Sequence, residues 1–427
     1  MTSKARAYVY LQLPGTLEVV TAAFYQLENR SGVPTGIFVY NPRYLGRADA
    51  VPLEPFELPL TPARFETTKL RGNFGCLRDA SPDSWGRRLI ERHMGRTDLS
   101  EVDYLLNSPE DRAGALSFGH GKTPPAPQAR FNRIVQLPKL LAYAHAMDEE
   151  DLDPHRSEEL AAQVTELVQP DTAMGGARPK NGVEDEEGLW LTKFSARGDQ
   201  WNFARVEAAM LALARECGLR ASDAKIVDVA GHSVVLVRRF DRARIDGGYL
   251  RHRMVSGLTM LGAEESHTER GRWSYLLLAD EVRRRSRRSS EDLLELYRRV
   301  VFNALISNTD DHPRNHAMIA PGREWELSPV YDLMPNPLTS LEKRDLAMTA
   351  GRFNRYANRE NIASECAQFR IPREDAMRIM DTLRDTVATR WRAVMRAHGV
   401  SEGDCERLAG AFTYPGFELD PRRVLGG

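Results

Sequence analysis

The stretch "SNTDDHPRNH", Ser307–His316, follows directly after the apolar helical pattern "SSEDLLELYRRVVFNALI" and contains two adjacent carboxylates, two histidines and two asparagines. Behind it, "AMIAPGREWELSPVYDL" predicts a strand, a turn at Pro321-Gly322 and a second strand. A hairpin returns its second strand to the level at which the first began. We therefore expect Asn315 and Asp332 to lie side by side.

An amide oxygen and a carboxylate at one point suit Mg²⁺ when a phosphate supplies further ligands. Asp310, one turn away, would be free to accept a proton from a hydroxyl. These are the parts of phosphoryl transfer, namely a base for the nucleophile and two ligands for the metal on the nucleotide. A polar turn built from Asp and Asn is the structural alternative. His312 and His316 are interpreted as orienting or structural residues, because no further His or Cys stands at ligand spacing.

Three upstream features favour the catalytic interpretation. "GGARPK", residues 175–180, could let backbone amides approach a phosphate, although turn formation explains its glycines equally well. Lys193 lies inside the apolar strand pattern "GLWLTKF", and Glu207 lies on the helix pattern that follows. A strand lysine paired with a helix glutamate holds nucleotide phosphates in protein kinases. A solvated Glu207 beside the apolar stripe is the open alternative.

The remaining patterns indicate a mixed chain. Residues 7–62 alternate in strand fashion, and Ser81-Pro82-Asp83 predicts a helix start. Further helices are predicted from the apolar spacing of "DQWNFARVEAAMLALAREC", from a Ser-x-x-Asp start at Ser289 and from "REDAMRIMDTLRDTVATRWRAVMRAHG". "HSVVLVRRF" predicts another strand.

Composition excludes several classes of protein. Of 427 residues 42% are hydrophobic and 28% charged, and 59 basic residues nearly balance 60 acidic ones for a net charge of −1. This balance gives no support to bulk attraction to nucleic acid or membranes. The chain starts without a signal peptide pattern, and no stretch is long enough to span a bilayer. The four cysteines form no CxxC pair, so we expect free thiols in a reducing cytoplasm.

The segments "GGARPK", "WLTKF", "VRRFDR", "ISNTDDHPRNHAM" and "LSPVYDLMP" resemble, in order and spacing, the HipA-like serine/threonine kinases, toxins of bacterial HipA–HipB toxin–antitoxin modules. The similarity extends to "LRDASPDSWGRR" and "DRAGALSF" and so covers most of the chain. It implies an α+β fold in which an N-terminal mixed α/β subdomain precedes a protein-kinase-like core with a small β-rich lobe and a larger, mostly helical lobe. The boundaries expected are 1–125 for the subdomain, 126–160 for a connector, 161–242 for the small lobe and 243–427 for the large lobe.

The resemblance also implies roles for individual residues, with ATP and Mg²⁺ as cofactors. Asp310 matches the catalytic base, and Asn315 and Asp332 match the magnesium ligands. The positions that match nucleotide contacts are Gly175, Gly176, Ala177, Arg178, Pro179, Lys180, Lys193, Arg238, Arg239, Phe240, His312, Pro313, Arg314 and Asn315, with Glu207 as the candidate partner of Lys193.

One departure concerns self-phosphorylation. Members of the family often carry an autophosphorylated serine shortly before the loop lysine, where this sequence has Ala173, with Thr172 beside it. The known target class of the family is aminoacyl-tRNA synthetases, and its usual partner is a small helix-turn-helix antitoxin. DNA contact is therefore expected only through such a partner. The run "RRRSRRSS" from Arg283 is interpreted as a solvated face.

Two other functions compete with a protein kinase. A catalytically idle co-repressor that only holds an antitoxin is disfavoured, because every matched catalytic position is intact. A small-molecule kinase of the aminoglycoside phosphotransferase kind also uses an Asp-to-Asn spacing of five. The "GGARPK" loop and the extended first unit fit that kind poorly.

Overall fold

The computed structural model describes residues 5–125, 131–141, 180–195, 198–337 and 340–425, which divide into two units. The first unit comprises residues 1–197, 238–255 and 319–323, and the second comprises 198–237, 256–318 and 324–427. The predicted connector 126–160 falls mostly, and the glycine loop 175–179 wholly, outside the described residues.

The strands are β1 Ala5–Gln12, β2 Val19–Arg30, β3 Val33–Tyr40, β4 Arg64–Thr67, β5 Leu116–Gly119, β6 Asn132–Arg133, β7 Lys180–Glu184, β8 Leu189–Phe194, β9 Ala224–Val229, β10 His232–Arg238, β11 Arg242–Ile245, β12 Gly248–Arg251, β13 Arg253–Ser256, β14 Ala317–Ala320 and β15 Glu326–Leu327. The α-helices are α1 Pro42–Leu45, α2 Gly75–Asp79, α3 Ser84–Met94, α4 Glu101–Asn107, α5 Phe203–Glu216, α6 Gly257–Leu261, α7 Tyr275–Arg285, α8 Ser289–Leu305, α9 Arg359–Ser364, α10 Arg373–Ala397, α11 Glu402–Leu408 and α12 Pro421–Leu425.

An antiparallel sheet with the order β4-β3-β2-β1-β5 forms the centre of the first unit. Side chains of successive strand residues point to opposite faces, and one face here is filled by fully buried residues such as Val9, Tyr25 and Phe38. The strands predicted between residues 7 and 62 are confirmed by β1, β2 and β3.

Helix α3 begins where the sequence predicted a start. The Asp83 side chain accepts a hydrogen bond from the Gly86 amide, which caps the first turn. The helix ends at Gly95, whose φ of 65° lies in the left-handed region that favours glycine. Asp83 therefore holds a fixed position at the start of α3.

Two smaller groups of strands complete the first unit. Strands β7 and β8 pair antiparallel, with Lys180 opposite Lys193, and β6 runs parallel to β7. Strands β11 and β12 form a second hairpin. The predicted strand around Lys193 is confirmed by β8.

The second unit is mostly helical, as expected. Helix α10 packs on α5 and α8, and α8 packs on α7. Helices α5 and α8 bury most residues of the apolar stripes predicted from their spacing, and α10 confirms the second long helix predicted. The hairpin of β9 and β10 and the short strand β15 also belong mainly to this unit.

The predicted cap at Ser289 is wrong. Helix α8 begins at Ser289 itself, with Arg288 as its capping residue and no capping hydrogen bond from a side chain. Asp292 instead accepts hydrogen bonds from Ser286 Oγ at 2.6 Å, from the Leu327 amide at 2.8 Å and from Arg220. A fully buried carboxylate needs such donors, and they outweigh the local capping pattern.

The α+β class is confirmed, with a strand-rich first unit and a helix-rich second unit. All four cysteines are buried free thiols. Across the described residues, no helix combines the length and the hydropathy that crossing a bilayer requires.

Glu54 in the first unit gives a pH-dependent contribution to stability. Burial raises its pKa to about 7, although its carboxylate accepts hydrogen bonds from the amides of Phe56, Glu57 and Leu58. A raised folded pKa means that this contribution is full below the unfolded pKa near 4.5 and is lost as pH rises through 7. We expect the free energy of unfolding to fall by roughly 3 kcal/mol from this group between pH 4.5 and pH 8.

Urea unfolding of the native chain and of Glu54→Gln at pH 5 and pH 8 measures this dependence. The pH-dependent difference should shrink in the variant, whatever its absolute stability. An equal pH dependence in both proteins would contradict the prediction.

Candidate active site

The loop Ser307–His316 in the second unit is fixed where it leaves α8. Ser307 has a φ of 52°, a left-handed conformation that turns the chain sharply. Its hydroxyl donates to the Ala411 carbonyl at 2.7 Å and accepts from Arg344 at 2.6 Å. Asn308 bonds to Asn303 through both its amide nitrogen and its side chain. The start of the loop is therefore held by backbone and side chains together.

Asp311 anchors the middle of the loop. Its Oδ2 atom accepts hydrogen bonds from Tyr275 Oη at 2.5 Å and Asn303 Nδ2 at 2.7 Å, and it lies 2.8 Å from His316 Nε2. All four residues are buried. Burial and the neighbouring Asp311 charge raise the pKa of Tyr275 well above its ordinary value, so the phenol keeps its proton and donates it.

The end of the loop is held from two sides. Gly257, the first residue of α6, donates its amide proton to the His316 carbonyl at 2.7 Å. A Cβ atom at position 257 would lie 2.4 Å from the Pro313 carbonyl oxygen, so only glycine allows this approach. Tyr331 donates its phenol proton to the Arg314 carbonyl at 2.6 Å.

The chain reverses its direction after β14, in agreement with the turn predicted at Pro321-Gly322. The Ser328 amide donates to the Ala317 carbonyl at 3.0 Å, which pairs the residues just outside β15 with the start of β14. The second predicted strand is shorter than expected, because β15 covers only Glu326–Leu327. Asp332 follows with a φ of 60°, a conformation that Asp tolerates better than most residues.

Asp310 lies near both Asn315 and Asp332 in the second unit. The Asn315 Nδ2 atom donates to the Asp310 carbonyl at 3.4 Å. Removal from water raises the pKa of the Asp310 carboxyl, His312 opposes this, and the charges of Asp332 and Asp311 raise it further. The Asp310 side chain is exposed and Asn315 is buried. A proton acceptor therefore lies at the surface beside an acidic neighbour.

The donor set fits Mg²⁺ in the presence of a phosphate ligand. Among the described residues, no three His, Cys, Asp or Glu side chains converge as in an all-protein metal site. Magnesium commonly takes one or two protein oxygens and completes its octahedron with water and phosphate. The charges of Asp332 and Asp311 contribute to the raised pKa of Asp310, and a bound cation would relieve this repulsion.

Lys180 and Lys193 lie opposite each other in the first unit. Directly opposed residues of an antiparallel pair place their side chains on the same face, and both lysines are buried. The Asp83 carboxylate lies 3.4 Å from Lys180 Nζ. The Asp83 carboxylate therefore fixes the Lys180 ammonium, and the contact of the two lysines with a phosphate stays a prediction.

In the segment Arg238–Phe240, both arginines make contacts that stabilise the first unit. The Arg239 amide donates to the Leu189 carbonyl, and its buried side chain pairs with Asp111 and Asp241. Arg238 donates to the Glu187 carbonyl at 2.7 Å. A contact of this segment with a nucleotide base stays a prediction.

The remaining candidate residues differ in burial and in partners. Glu207 on α5 is fully buried, which excludes the solvated alternative. It lies in the second unit and Lys193 in the first, and their pairing stays a prediction. Arg314 pairs with Glu265, and His312 is half-buried beside Asp310. Residues 172–179, with the glycine loop and Thr172, lie outside the described residues.

The basic run 283–288 is neutralised by ion pairs. Its arginines contact Asp280, Glu281, Glu291 and Glu326. These partners precede or follow the run at helical spacing or lie on β15, and they leave little net charge for contact with a phosphate backbone. The interpretation as a solvated face agrees with this arrangement.

The two parts of the chain match two family descriptions. Residues 172–391 match "HipA-like C-terminal domain", and residues 25–119 match "HipA N-terminal domain". The chain belongs to the HipA-like family. The order of motifs in the sequence analysis agrees with this membership.

Two curated relatives come from Sinorhizobium fredii, and both carry names that describe candidate kinases. This HipA-like chain is 26% identical to Y4dM over 243 residues, which is 50% of the chain and 53% of that relative. It is 28% identical to Y4mE over 131 residues, 30% of the chain and 31% of that relative. The chain thus spans about half, or less, of the length of the curated relatives that it matches.

A solved structure shares the fold over nearly the whole chain. It is the HipA toxin of Shewanella oneidensis MR-1 in a complex with HipB and operator DNA, with a TM-score of 0.68 and 16% sequence identity. The alignment covers 98% of this chain and 97% of that one. This similarity confirms the HipA-type fold.

Several residues of the site were missed by the sequence analysis. Asp311 gave no signal beyond being the neighbour of Asp310, although its side chain contacts three other buried residues. Asp83 was seen as a helix start, but its approach to Lys180 across 97 residues left no local pattern. Gly257 gave no signal in the sequence, since its close approach to Pro313 is a tertiary contact.

Proposed function

We propose that this HipA-like chain is an ATP-dependent serine/threonine protein kinase that transfers the γ-phosphate of ATP to a protein serine. The observation that carries the proposal is the loop that puts exposed Asp310 beside Asp332 and buried Asn315. Membership in the HipA-like family and the names of the two Sinorhizobium fredii relatives support it.

In the proposed reaction Asp310 accepts the proton of the serine hydroxyl as its oxygen attacks the γ-phosphorus, and ADP leaves. A raised pKa makes Asp310 a better proton acceptor than an ordinary aspartate. Asn315 and Asp332 would hold Mg²⁺, which when bound neutralises charge on the phosphate oxygens. Asp311 and Gly257 hold the loop in place by the contacts described above.

The first unit supplies cations in this proposal. Lys180 and Lys193 share one face of the β7–β8 hairpin and would bind phosphate oxygens. Burial strengthens each such contact, because the surrounding dielectric is low. The Asp83 carboxylate would keep the Lys180 ammonium in position.

The biological role proposed is that of a growth-arresting toxin whose target is an aminoacyl-tRNA synthetase, with a small helix-turn-helix antitoxin as partner. The family supports both, and the complex named for the Shewanella oneidensis relative contains HipB and operator DNA. Phosphoproteomics of host cells that express the native chain or Asp310→Ala would identify the substrate protein.

Removal of the divalent ion tests the chemical part of the proposal. With labelled ATP and host extract, chelation by EDTA should abolish transfer, and added Mg²⁺ should restore it. Asp332→Ala should lower transfer by about 100-fold or more, because a ligand of the ion is lost. Asp345→Ala is a matched control, since Asp345 is a surface carboxylate of the same unit. Transfer that persists in EDTA, or in Asp332→Ala, would refute the metal assignment.

A further inference from the structure

Two buried carboxylates of the second unit have nearly the same environment but different positions. Asp311 and Asp292 each have three hydrogen-bonding neighbours and are almost wholly inaccessible. Asp292 lies in the first turn of α8, and Asp311 lies beside Asp310 in the loop. The chain thus contains one buried carboxylate next to the proposed base and a second that serves the fold.

We infer that Asp311 is a positioning residue of the proposed kinase, whose carboxylate fixes the loop so that Asp310 and Asn315 face the reacting groups. This inference rests on the proposed function. All of its partners contact the same oxygen atom, Oδ2, at 2.5 to 2.8 Å. They come from the start of α7, the last turn of α8 and the residue before β14, so one atom joins three elements.

The effect of Asp311 on the proposed catalytic groups is direct, because Asp311 and its partner His316 are each adjacent in the chain to one of these groups. Asp310 precedes Asp311 and is exposed, whereas Asp311 is buried. Fixing the buried side chain fixes the peptide that carries the exposed one. His316 follows Asn315 in the same way, so its contact with Asp311 fixes the peptide of the proposed metal ligand. Asp311 and its three partners, called the hub below, therefore fix the chain at both Asp310 and Asn315.

The rest of the hub is polar and closely packed. Tyr275 and His316 also meet edge to face, with ring centroids 5.7 Å apart. Within the described residues, Oδ1 of Asp311 and Nδ1 of His316 are buried and have no hydrogen-bond partner. An incompletely satisfied buried carboxylate costs stability, so a hub of this kind would not be expected from folding requirements alone.

Asp311→Asn tests the inference with little change in shape. The amide places a donor or a weaker acceptor where three donors now meet. We expect kcat for phosphate transfer to fall about 10- to 100-fold, as for residues that orient catalytic groups, while KM for ATP changes little. Tyr275→Phe should lower kcat less. His316→Gln, which keeps a donor, should retain more activity than His316→Ala.

Asp292→Asn is the matched control. It should lower the melting temperature by a similar amount and leave kcat within about twofold, since Asp292 does not touch the loop. Equal losses of kcat in the two variants would mean that Asp311 has only a structural role. Unchanged kcat in Asp311→Asn would overturn the inference as well.

Hydrogen exchange separates failure of this inference from failure of the proposed function. Amides of residues 307–316 should exchange about 10- to 100-fold faster in Asp311→Asn than in the native chain or in Asp292→Asn. This readout needs no catalysis. If the native chain transfers no phosphate, the proposed function is refuted. If hydrogen exchange is also unchanged in Asp311→Asn, the positioning role of Asp311 is refuted as well.

Discussion

Asp310→Asn should abolish phosphate transfer in a protein that is at least as stable as the native chain. The loss of a general base lowers kcat by about 10²- to 10⁴-fold. Stability should not fall, because the exposed Asp310 carboxylate accepts no hydrogen bond from the described residues of its unit. Its raised pKa means that ionising it costs folding free energy, partly through repulsion by Asp332 and Asp311. The neutral amide removes this cost.

Single-turnover transfer and thermal melting, the latter in EDTA without nucleotide, measure the two effects. The melting temperature of Asp310→Asn should equal or exceed that of the native chain at pH 7. The gain should vanish near pH 3, where the native carboxyl is protonated in both folded and unfolded chains. Asp385→Ala, an exposed carboxylate on α10, should change neither property.

Two results would contradict this assignment. Transfer at the native rate in Asp310→Asn would show that another group accepts the proton. A large fall in melting temperature would show that Asp310 supports the fold, and lost activity could then be ascribed to unfolding. Opposite changes in activity and stability are the expected signature, since sites adapted for catalysis often cost stability.

The local part of the site could be predicted from the sequence. A dense polar loop after an apolar helix and a Pro-Gly turn between two short apolar runs suffice to predict that the chain turns back after the loop, and the Ser328 amide indeed bonds to the Ala317 carbonyl. This holds because hairpin geometry is set by a few neighbouring residues. The strands β1, β2, β3 and β8 and the long helices were predicted for the same reason, since their burial follows a fixed period.

The tertiary part could not be predicted. Nothing near Asp311 in the sequence indicates that Tyr275, 36 residues upstream, donates to it. The capping pattern at Ser289 was a valid local signal. Asp292, however, accepts its hydrogen bonds from Arg220, Ser286 and Leu327 and does not complete the predicted cap. Buried charges select their partners in three dimensions, so local propensity fails where polar groups are buried.

A similar network explains the segment Arg239–Arg242 of the first unit. The Asp241 carboxylate contacts Arg239 at 2.9 Å and 3.0 Å through two parallel bonds, and it accepts from Arg242 at 2.6 Å. The Gly114 amide also donates to it at 2.9 Å. Burial opposes the charge of Asp241, but the two arginines outweigh burial and hold its pKa well below the usual range.

Asp241→Ala should destabilise the first unit by about 3–5 kcal/mol, because two buried guanidinium groups would lose a counter-charge that they share and would have Asp111 alone to compensate them both. Urea unfolding followed by tryptophan fluorescence, with limited proteolysis to locate the cleaved unit, measures the effect. The exposed turn residue Asp246 provides the control, and Asp246→Asn should stay within about 0.5 kcal/mol of the native chain.

The double variant Arg239→Met, Asp241→Leu distinguishes the effect of an unpaired charge from the effect of lost packing. It removes one charge of each sign and leaves Arg242 with Asp111, which lie 3.9 Å apart in the native chain. The double variant should therefore be more stable than Asp241→Ala, although it changes more atoms, because an unpaired buried charge costs more than a lost ion pair. A double variant less stable than Asp241→Ala would show that packing, and not charge compensation, governs this network.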